Sequence, residues 1–424
     1  MERIAIVNGI RTPFCRMGTA FNDLSAQELA RRAVRELIDR MALDVKVIDE
    51  VIFGNVAQPM DAANVARVIA LLAGIPVTTP AFTVHRNCAS GIEAVVSAAV
   101  RIKTGEGRCI LAGGTESMSN IPFFFRKDTQ EIFGELQRAK TAAARLLAFL
   151  KFRPRHFSPR IGLMLGLTDP VCGLGMGQTA EVLAKEFGIT RKEQDEFSLL
   201  SHQKAIAGRY ALRQEIVPVV PGPKFRELVM DDNGPREGQT MEALGKLKAV
   251  FDRTGGTVTA GNASQITDGA VALLVASESR AKELGLEPLG YIRSFAFAGV
   301  EPRRMGIGPA HAIPMALKKA GLKLSDMQAV EINEAFAVQV LACLKALDSP
   351  QFAKQFGYEG YTGPIDSAKL NVNGGAVALG HPVGATGARL ILTMLKHLKR
   401  NDLDLGLVSL CIGGGQGAAV VLER

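Results

Sequence analysis

Three glycine-rich stretches of this sequence carry side chains that could act together on a carbonyl carbon. Cys88 lies in TVHRNCASG, His381 lies between Gly380 and Pro382, and Cys411 lies in CIGGGQG. A histidine can take the proton of a cysteine thiol, and the thiolate then attacks a carbonyl to form an acyl-enzyme. Backbone N–H groups at glycine turns can hold the oxyanion that this attack generates. The three stretches therefore indicate acyl transfer.

Cys88 is predicted to lie just before a helix. An apolar, strand-like run at 81–84 precedes it, and apolar residues recur after it at helical spacing, at Ile92, Val95, Val96, Ala99 and Ile102. Free N–H groups at a helix N-terminus lower the pKa of a thiol, so the position predicts a reactive thiolate. A buried structural cysteine is the alternative.

A second cysteine and an asparagine extend this chemistry. A cysteine thiol has a pKa near that of coenzyme A, so Cys411 is suited to passing a proton to a carbanion. Asn333 ends a predicted strand in VEINEAF. If two halves of the chain pack about a pseudo-twofold axis, the ends of these strands converge on Cys88.

The first 120 residues alternate predicted strands and helices, which indicates a sheet with helices on its faces. The strands are predicted at 4–7, 51–53 and 108–111, and the helices at 26–41 and 64–73. Further along, we predict helices at 179–187 and 192–207, a Pro-rich stretch at 217–223 and a buried strand at 270–276.

The last third of the sequence repeats the pattern of the first. Residues 291–296 match the first strand, and residues 309–320 match the first helix. The order Ser-Gly, helix, strand, Gly-Gly around Gly91 and Gly113 recurs as Thr-Gly, helix, strand, Gly-Gly around Gly387 and Gly413. Two similar halves with an insertion in the first predict a duplicated fold with the active site between the halves.

Composition excludes several classes of protein. Trp is absent and aromatic residues make up 6% of the chain, so we expect no nucleic-acid partner. The six cysteines show no CxxC pairing, which argues against a metal site or a disulfide framework. Reduced thiols, and the lack of a signal or transit pattern at the start of the sequence, predict a cytoplasmic protein.

A basic segment, 123–160, stands apart from the rest. It carries nine Lys/Arg against three Asp/Glu, and so most of the chain's formal net charge of +8. An apolar stripe at helical spacing accompanies these charges, at Ile132, Leu136, Ala139, Ala143, Leu146, Leu147 and Leu150. A basic amphipathic helix lies on a membrane surface, docks on a partner, or covers its own domain with a solvated basic face.

Five ordered motifs resemble the signature sequences of the thiolase family. They are NCASG with AGGTESMS, GTVTAGNAS, NEAF, NVNGGAVALGHPVGATGAR and CIGGGQGAA, and together they cover nearly the whole chain. The resemblance implies an α/β thiolase fold of two duplicated βαβαβαββ halves in five layers, α-β-α-β-α. It implies an N-terminal half of 1–120 plus 251–277, an inserted loop domain of 121–250, and a C-terminal half of 278–424.

The same resemblance implies a role for each matching residue. Cys88 is similar to the nucleophile that carries the acyl group, and Cys411 to the acid/base. His381 is similar to the group that activates Cys88, and with a water held by Asn333 it would stabilise an enolate. The N–H groups of Cys88 and Gly413 would form an oxyanion hole. Coenzyme A would be a co-substrate, with no metal and no permanently bound cofactor.

Pocket residues follow from the same comparison. Ser264 resembles a contact of the pantetheine arm, and Met176 and Met305 resemble pocket-lining methionines, for which a core-filling role is equally good. Short-chain members have His-Met where this sequence has Gly175-Met176. The missing side chain predicts a wider acyl pocket and medium- or long-chain 3-ketoacyl-CoA substrates in fatty-acid β-oxidation.

The partners that we expect are CoA, acyl-CoA thioesters and a second copy of the chain, as a homodimer or higher oligomer. The basic segment resembles the enlarged loop domain in the thiolase subunit of β-oxidation trifunctional complexes. That resemblance suggests a hydratase/dehydrogenase subunit or a peripheral membrane contact through 123–160.

Three other functions remain open. A biosynthetic acetoacetyl-CoA thiolase would use the same residues for Claisen condensation. A decarboxylating ketoacyl synthase would pair the cysteine with two histidines, or with His and Asn, and would lack Cys411. A non-catalytic acyl-CoA-binding scaffold would not need all of the catalytic positions filled.

Overall fold

The computed structural model describes residues 2–222, 227–358 and 361–424. It forms two compact units, one of residues 1–120 with 169–424 and the other of Ile121–Thr168. Within the described ranges, no helix is long and apolar enough to cross a membrane. Pro223, which ends the predicted Pro-rich stretch, lies outside the described residues. The division into two halves and a loop domain at 121–250 stays a prediction.

The strands in the described part of the chain are β1 (Ile4–Arg11), β2 (Cys15–Arg16), β3 (Glu50–Gly54), β4 (Ala81–Val84), β5 (Cys109–Glu116), β6 (Phe123–Phe124), β7 (Arg160–Ile161), β8 (Thr267–Ser277), β9 (Gly290–Gly299), β10 (Ala329–Ile332), β11 (Leu405–Ile412) and β12 (Gln416–Glu423).

The α-helices are α1 (Ala26–Met41), α2 (Val65–Leu72), α3 (Ser90–Thr104), α4 (Lys127–Arg138), α5 (Ala142–Phe149), α6 (Gly162–Gly166), α7 (Met176–Glu186), α8 (Arg191–Ala207), α9 (Arg209–Arg213), α10 (Met241–Gly245), α11 (Glu278–Glu283), α12 (Gly308–Ala320), α13 (Ala337–Leu347), α14 (Pro350–Gln355), α15 (Ala376–Leu379) and α16 (Val383–Asn401). Short 3₁₀ turns lie at Val45–Val47, Met118–Asn120, Pro154–Phe157, Pro302–Ile307 and Leu324–Asp326.

The order of the strands confirms the predicted duplication. The first half has the order β4-β3-β5-β8-β1, and the second half has β10-β11-β12-β9. In each half the edge pairs are parallel and the last two pairings are antiparallel. The counterpart of β4 is reduced to one parallel bridge between Val330 and Leu370. The halves join where β1 pairs with β9 at Ala5 and Ile6.

Both faces of each half of the sheet are covered, so their strands are apolar at consecutive positions. On β8, Ala272 and Leu274 pack in the cluster that contains α1 and α2, whereas Leu273 packs in the central cluster. On β12, Val420 faces the central cluster and Val421 faces the cluster with α12 and α13. The central cluster contains α3 and α16, which gives the five layers that the resemblance implies.

The helices α3 and α16 touch through backbone at two glycines. A Cβ atom on Gly91 would lie 2.6 Å from the backbone nitrogen of Ala388, and a Cβ on Gly387 would lie 2.6 Å from that of Ile92. Real side chains are not found at such distances, so only glycine allows this approach. The close contact brings the first turn of each helix, and the loop before it, to one place.

The second unit, Ile121–Thr168, shows that one prediction was wrong. The apolar stripe of 123–160 does not form a single helix, because α4 ends at Arg138 and α5 begins at Ala142. The Thr141 hydroxyl accepts the N–H of Ala144 and begins a new helix there. Around the break, aromatic rings pack against each other, with Phe152 contacting Phe133, Phe149 and Phe157.

The glycine contact makes a stability prediction. We expect Gly387→Ala to destabilise the chain by about 1–3 kcal/mol, because the new methyl group must push α3 and α16 apart. The midpoint of urea unfolding, followed by circular dichroism, measures this. Gly245→Ala is the control, since nothing lies within 4 Å of a Cβ at that position. A Gly387→Ala chain as stable as the control would contradict the close packing.

Candidate active site

Cys88 lies on the turn between β4 and α3, as the sequence predicts. The helix begins at Ser90, two residues later, and the side chain of Cys88 is half-buried. The Ser90 hydroxyl accepts the N–H of Arg86 at 2.9 Å and donates to the carbonyl of Asn87 at 2.7 Å. These two hydrogen bonds fix the backbone on the N-terminal side of Cys88.

The pKa of Cys88 moves opposite to the prediction. Burial raises the pKa of its thiol, and the hydrogen bonds from the backbone N–H groups of Gly413 and of Cys88 itself lower it less than burial raises it. The expected lowering by the helix N-terminus therefore does not dominate. The resting group is a thiol, and a base must take its proton before it can attack.

His381 presents one free ring nitrogen. Its backbone N–H donates to the carbonyl of Gln265 at 3.0 Å, and its Nδ1 lies 2.7 Å from the Thr386 hydroxyl. Because Thr386 donates its own proton to the carbonyl of Pro382 at 3.0 Å, Nδ1 carries the proton and donates to Thr386. Nε2 is buried and has no hydrogen-bond partner among the described residues.

The imidazole of His381 is neutral near pH 7. Burial and, to a smaller extent, the positive charge of Arg389 together lower its pKa to about 3. A neutral ring with the proton on Nδ1 leaves the lone pair of Nε2 available. This is the protonation state that a general base requires.

The loop that carries His381 meets the first turn of α3. The carbonyl of Gly384 lies 3.0 Å from the Cβ position of Gly91 and 2.0 Å from that of Gly114. The buried carboxylate of Glu116 accepts the Gly384 N–H at 3.0 Å and the N–H groups of Val56 and Ala57 at the same distance. Cys88 and His381 thus lie on two segments whose backbones are in contact.

Cys411 lies one residue before the end of β11 and pairs with Gly417 on β12. Its side chain is 1% exposed. Burial raises the pKa of its thiol well above the ordinary value, and a charge on Cys88 or on Cys343 raises it further. The thiol of Cys411 is therefore protonated at rest and close enough to Cys88 to sense its charge.

Gly413 lies two residues after Cys411 and contacts the turn that carries Cys88. Its backbone lowers the pKa of the Cys88 thiol, and its carbonyl accepts the side-chain amide of Asn87 at 2.6 Å. The sulfur of Met176 lies 3.3 Å from the Cβ position of Gly413, so Met176 lies beside this turn. A side chain at position 413 would occupy the space between the backbone of Gly413 and the sulfur of Met176.

Asn333 follows β10, and both polar atoms of its buried amide have no partner among the described residues. Its backbone N–H donates to the carbonyl of Ser409 on β11 at 2.9 Å. The neighbouring backbone is held tightly, since Asn371 pairs with both backbone groups of Ile332 at 2.9 and 3.0 Å and donates to Glu334 at 2.8 Å. An unpartnered amide on so rigid a segment is available to hold a water molecule.

The predicted pocket residues lie around this core of the site. Ser264 donates its backbone N–H to Ala335 at 2.9 Å and directly precedes Gln265. Gly175 is the N-cap of α7, and its N–H donates to Gln178 at 2.8 Å. Met305 is buried in the apolar cluster that also contains Cys411, which supports a core-filling role.

Sequence reasoning missed the residues that orient these groups. Thr386 fixes the tautomer of His381, Gln265 holds its backbone, Glu116 holds its loop, and Asn87 contacts Gly413. A weak signal was present for Thr386, which lies within the same motif as His381. The contacts of Asn87 and Glu116 join residues more than 260 positions apart, and no local pattern indicates them.

Two family models match the chain over nearly its whole length. Thiolase, N-terminal domain, matches residues 4–279, and Thiolase, C-terminal domain, matches residues 286–424. The 3-ketoacyl-CoA thiolases of Enterobacter sp. (strain 638) and Serratia proteamaculans (strain 568) are 43% and 42% identical, each over 100% of this chain and 97% of the relative.

Solved structures of other proteins also match this chain over its whole length. Bacillus anthracis acetyl-CoA acetyltransferase is 37% identical with a TM-score of 0.86, covering 100% of this chain and 99% of that one. Human mitochondrial 3-ketoacyl-CoA thiolase in complex with CoA is 36% identical with a TM-score of 0.86, covering 100% and 98%. The predicted fold is thereby confirmed, and this chain belongs to the thiolase family.

Proposed function

We propose that this chain is a 3-ketoacyl-CoA thiolase, which cleaves a 3-ketoacyl-CoA with CoA to give an acyl-CoA and acetyl-CoA. The observation that carries the proposal is the Cys88 turn tied to the Gly413 turn by the hydrogen bond from Asn87 at 2.6 Å, with the neutral ring of His381, whose Nε2 has no partner among the described residues, on the adjoining loop. Relatives with the printed name 3-ketoacyl-CoA thiolase support the same reaction. An acyltransferase of this kind uses CoA as a co-substrate.

In the first half-reaction, Cys88 attacks the 3-keto carbon. Since its thiol is protonated at rest, His381 takes the proton on Nε2 as the S–C bond forms. The N–H groups of Cys88 and Gly413 would hold the oxyanion, a kind of interaction whose loss costs other enzymes about 10²–10³ in kcat.

The bond between C2 and C3 then breaks, and its electron pair moves to C2. The carbanion of acetyl-CoA takes the proton of Cys411, whose raised pKa keeps that proton in place until it is needed. A water on the amide of Asn333, with His381, would stabilise the enolate form. The products of this half-reaction are acetyl-CoA and an acyl group on Cys88.

In the second half-reaction, the Cys411 thiolate takes the proton of an incoming CoA thiol. The CoA sulfur attacks the thioester carbonyl, the bond to Cys88 breaks, and His381 returns its proton to the Cys88 sulfur. Each of these residues ends in the protonation state in which it began.

The acyl-enzyme is the direct test. With a 3-ketoacyl-CoA and no CoA, we expect an acid-stable thioester on Cys88, detected as the mass of the acyl group on its peptide. Cys88→Ala should carry no acyl group and lose thiolysis by at least about 10⁴-fold, the scale on which removing a nucleophile acts. Cys172→Ala, a half-buried cysteine outside the described contacts of Cys88, is the control.

Absence of any acyl group on Cys88 would favour a non-catalytic acyl-CoA-binding scaffold. Full activity in Cys88→Ala would exclude the mechanism described here.

We also propose that the substrates are medium- and long-chain. Gly175 lacks the side chain that short-chain members carry before the pocket methionine, and the neighbouring Met176 lies beside Gly413. An open acyl pocket gains affinity with each buried methylene, about 0.8 kcal/mol apiece. The acetoacetyl-CoA alternative would use a pocket closed at this point.

A chain-length series tests the substrate class. We expect kcat/KM for thiolysis of C12–C16 3-ketoacyl-CoA to exceed that for C4 by at least about tenfold, a gain that two buried methylenes supply. Gly175→His should reduce this ratio, because the new side chain enters the pocket. A preference for C4 would favour the acetoacetyl-CoA thiolase.

The unit Ile121–Thr168 combines positive charge with exposed apolar groups, which supports docking on an anionic membrane surface. Its most exposed apolar side chains are Phe123, Leu146, Leu147, Phe149, Leu150 and Phe157, each 59–66% exposed. Basic residues interleave with them throughout 126–160. Each Lys or Arg near an anionic bilayer contributes about 1 kcal/mol, and the apolar side chains add buried area.

Vesicle co-sedimentation tests this surface. We expect binding to phosphatidylglycerol-containing vesicles at low salt, weaker binding at high salt because charges are screened, and little binding to pure phosphatidylcholine. Leu146→Ser with Leu147→Ser should weaken binding, and Leu71→Ser with Leu72→Ser, an exposed pair on α2, should not. No binding at low salt would contradict the proposal and favour a protein partner such as a hydratase/dehydrogenase subunit.

A further inference from the structure

Asn87, directly before Cys88, has a backbone conformation that needs an explanation. Its φ is +44°, in the left-handed region that non-glycine residues rarely adopt. Two of the other non-glycine residues at positive φ, Ala42 and Asp402, are exposed C-caps of helices, where this conformation is ordinary. Asn87 is half-buried and precedes a helix, so capping does not account for it.

The side chain of Asn87 links the two halves of the fold. Its Nδ2 donates to the carbonyl of Gly413 at 2.6 Å, across 326 residues of sequence. The glycines that follow Gly413 have φ of +87° and +83° and provide no side chain that could hold the turn. Backbone hydrogen bonds hold this turn at Gly415, whose N–H donates to Ile412 at 3.2 Å and whose carbonyl accepts the Val300 N–H at 2.8 Å, and Asn87 adds a side-chain restraint at Gly413.

The backbone of Asn87 is anchored at the same time. Its carbonyl accepts the N–H of Ser90 at 2.9 Å and the hydroxyl of Ser90 at 2.7 Å. The amide that joins Asn87 to Cys88 contains the Cys88 N–H. Asn87 thus holds the peptide group that contains the Cys88 N–H through its own carbonyl, and through its side chain it restrains Gly413, whose N–H lies in the peptide group before the bonded carbonyl.

We propose that Asn87 is a positioning residue that sets the oxyanion hole by tying the Gly413 turn to the Cys88 turn. The inference rests on the proposed function for its catalytic consequence, and on geometry alone for the link itself. Asparagine suits the position because it tolerates positive φ and carries an amide donor. Aspartate shares the first property and lacks the second.

Three variants separate conformation from hydrogen bonding. Asn87→Gly keeps positive φ and removes the donor, Asn87→Asp keeps the shape, removes the donor and adds a negative charge, and Asn87→Ala removes the donor and strains the backbone. We expect Asn87→Gly and Asn87→Asp to lower kcat by about tenfold, the scale of one net hydrogen bond, with KM within twofold. Asn87→Ala should also lower the melting temperature.

The pH profile of Cys88 alkylation by iodoacetamide gives a readout that needs no substrate. Because the Gly413 N–H stabilises the Cys88 thiolate, we expect the alkylation midpoint to move up by about half a pH unit or more in Asn87→Gly, as loss of one such hydrogen bond implies. Cys88→Ala identifies the signal of Cys88. Ala42→Gly, another relief of positive φ on the surface, should leave kcat and the profile unchanged.

The outcomes are distinct. An alkylation profile and kcat equal to those of the parent in both Asn87→Gly and Asn87→Asp would overturn the proposal and leave Asn87 with a conformational role only. A shifted profile in a chain that shows no thiolysis would reject the proposed function and support the link between Asn87 and Gly413.

Discussion

The contact between the first turns of α3 and α16 is the constraint on which the rest of the site depends. Each helix begins directly after a loop that carries a proposed catalytic side chain, Cys88 before α3 and His381 before α16. Gly91 and Gly387 let the two backbones meet, so the two loops lie together. A duplicated fold thereby turns one repeated feature, a glycine in the first turn of a buried helix, into a site made from both copies.

The same duplication explains why the two halves contribute different chemistry. The strand-end glycines of the first half, Gly113 and Gly114, pack against β8 and the His381 loop, where a side chain would clash with backbone. Their counterparts Gly413 and Gly414 instead lie beside the Cys88 turn, where the side chain of Asn87 holds the carbonyl of Gly413 at 2.6 Å. The first pair, Gly113 and Gly114, therefore allows close packing, whereas the second pair, Gly413 and Gly414, lies beside the proposed active site.

Much of this arrangement could be predicted from sequence because it is local. The predicted helix 26–41 has the observed bounds, and the serine that precedes it caps its first turn by accepting the N–H of Glu28. The end of β11 after Cys411 also follows from an apolar run that stops at three glycines, and the end of β10 from the polar residues that begin at Asn333. The break between α4 and α5 was missed because the apolar spacing continues across it, and only the cap at Thr141 marks the new helix.

The protonation states could not be predicted, since they depend on burial that no motif encodes. The position of Cys88 before a helix N-terminus predicted a thiolate. Burial nevertheless raises the pKa of its thiol more than the backbone of Gly413 and of Cys88 lowers it. His381 and Cys411 are neutral for the same reason. Burying permanent charges here would cost several kcal/mol each, whereas a thiol and an imidazole enter the interior readily.

The side chains of the proposed active site are neutral at rest, and so is the end of the substrate that would react there. The thioester and ketone of a 3-ketoacyl-CoA carry no charge, and charge arises only as the reaction proceeds. In the proposed mechanism each place where it would arise has a matched group: N–H donors for the oxyanion, the amide of Asn333, which has no partner among the described residues, for the enolate, and the Nε2 of His381 for the proton of Cys88. Such groups would stabilise charges that exist only during the reaction. This is the condition for binding a transition state more tightly than a substrate.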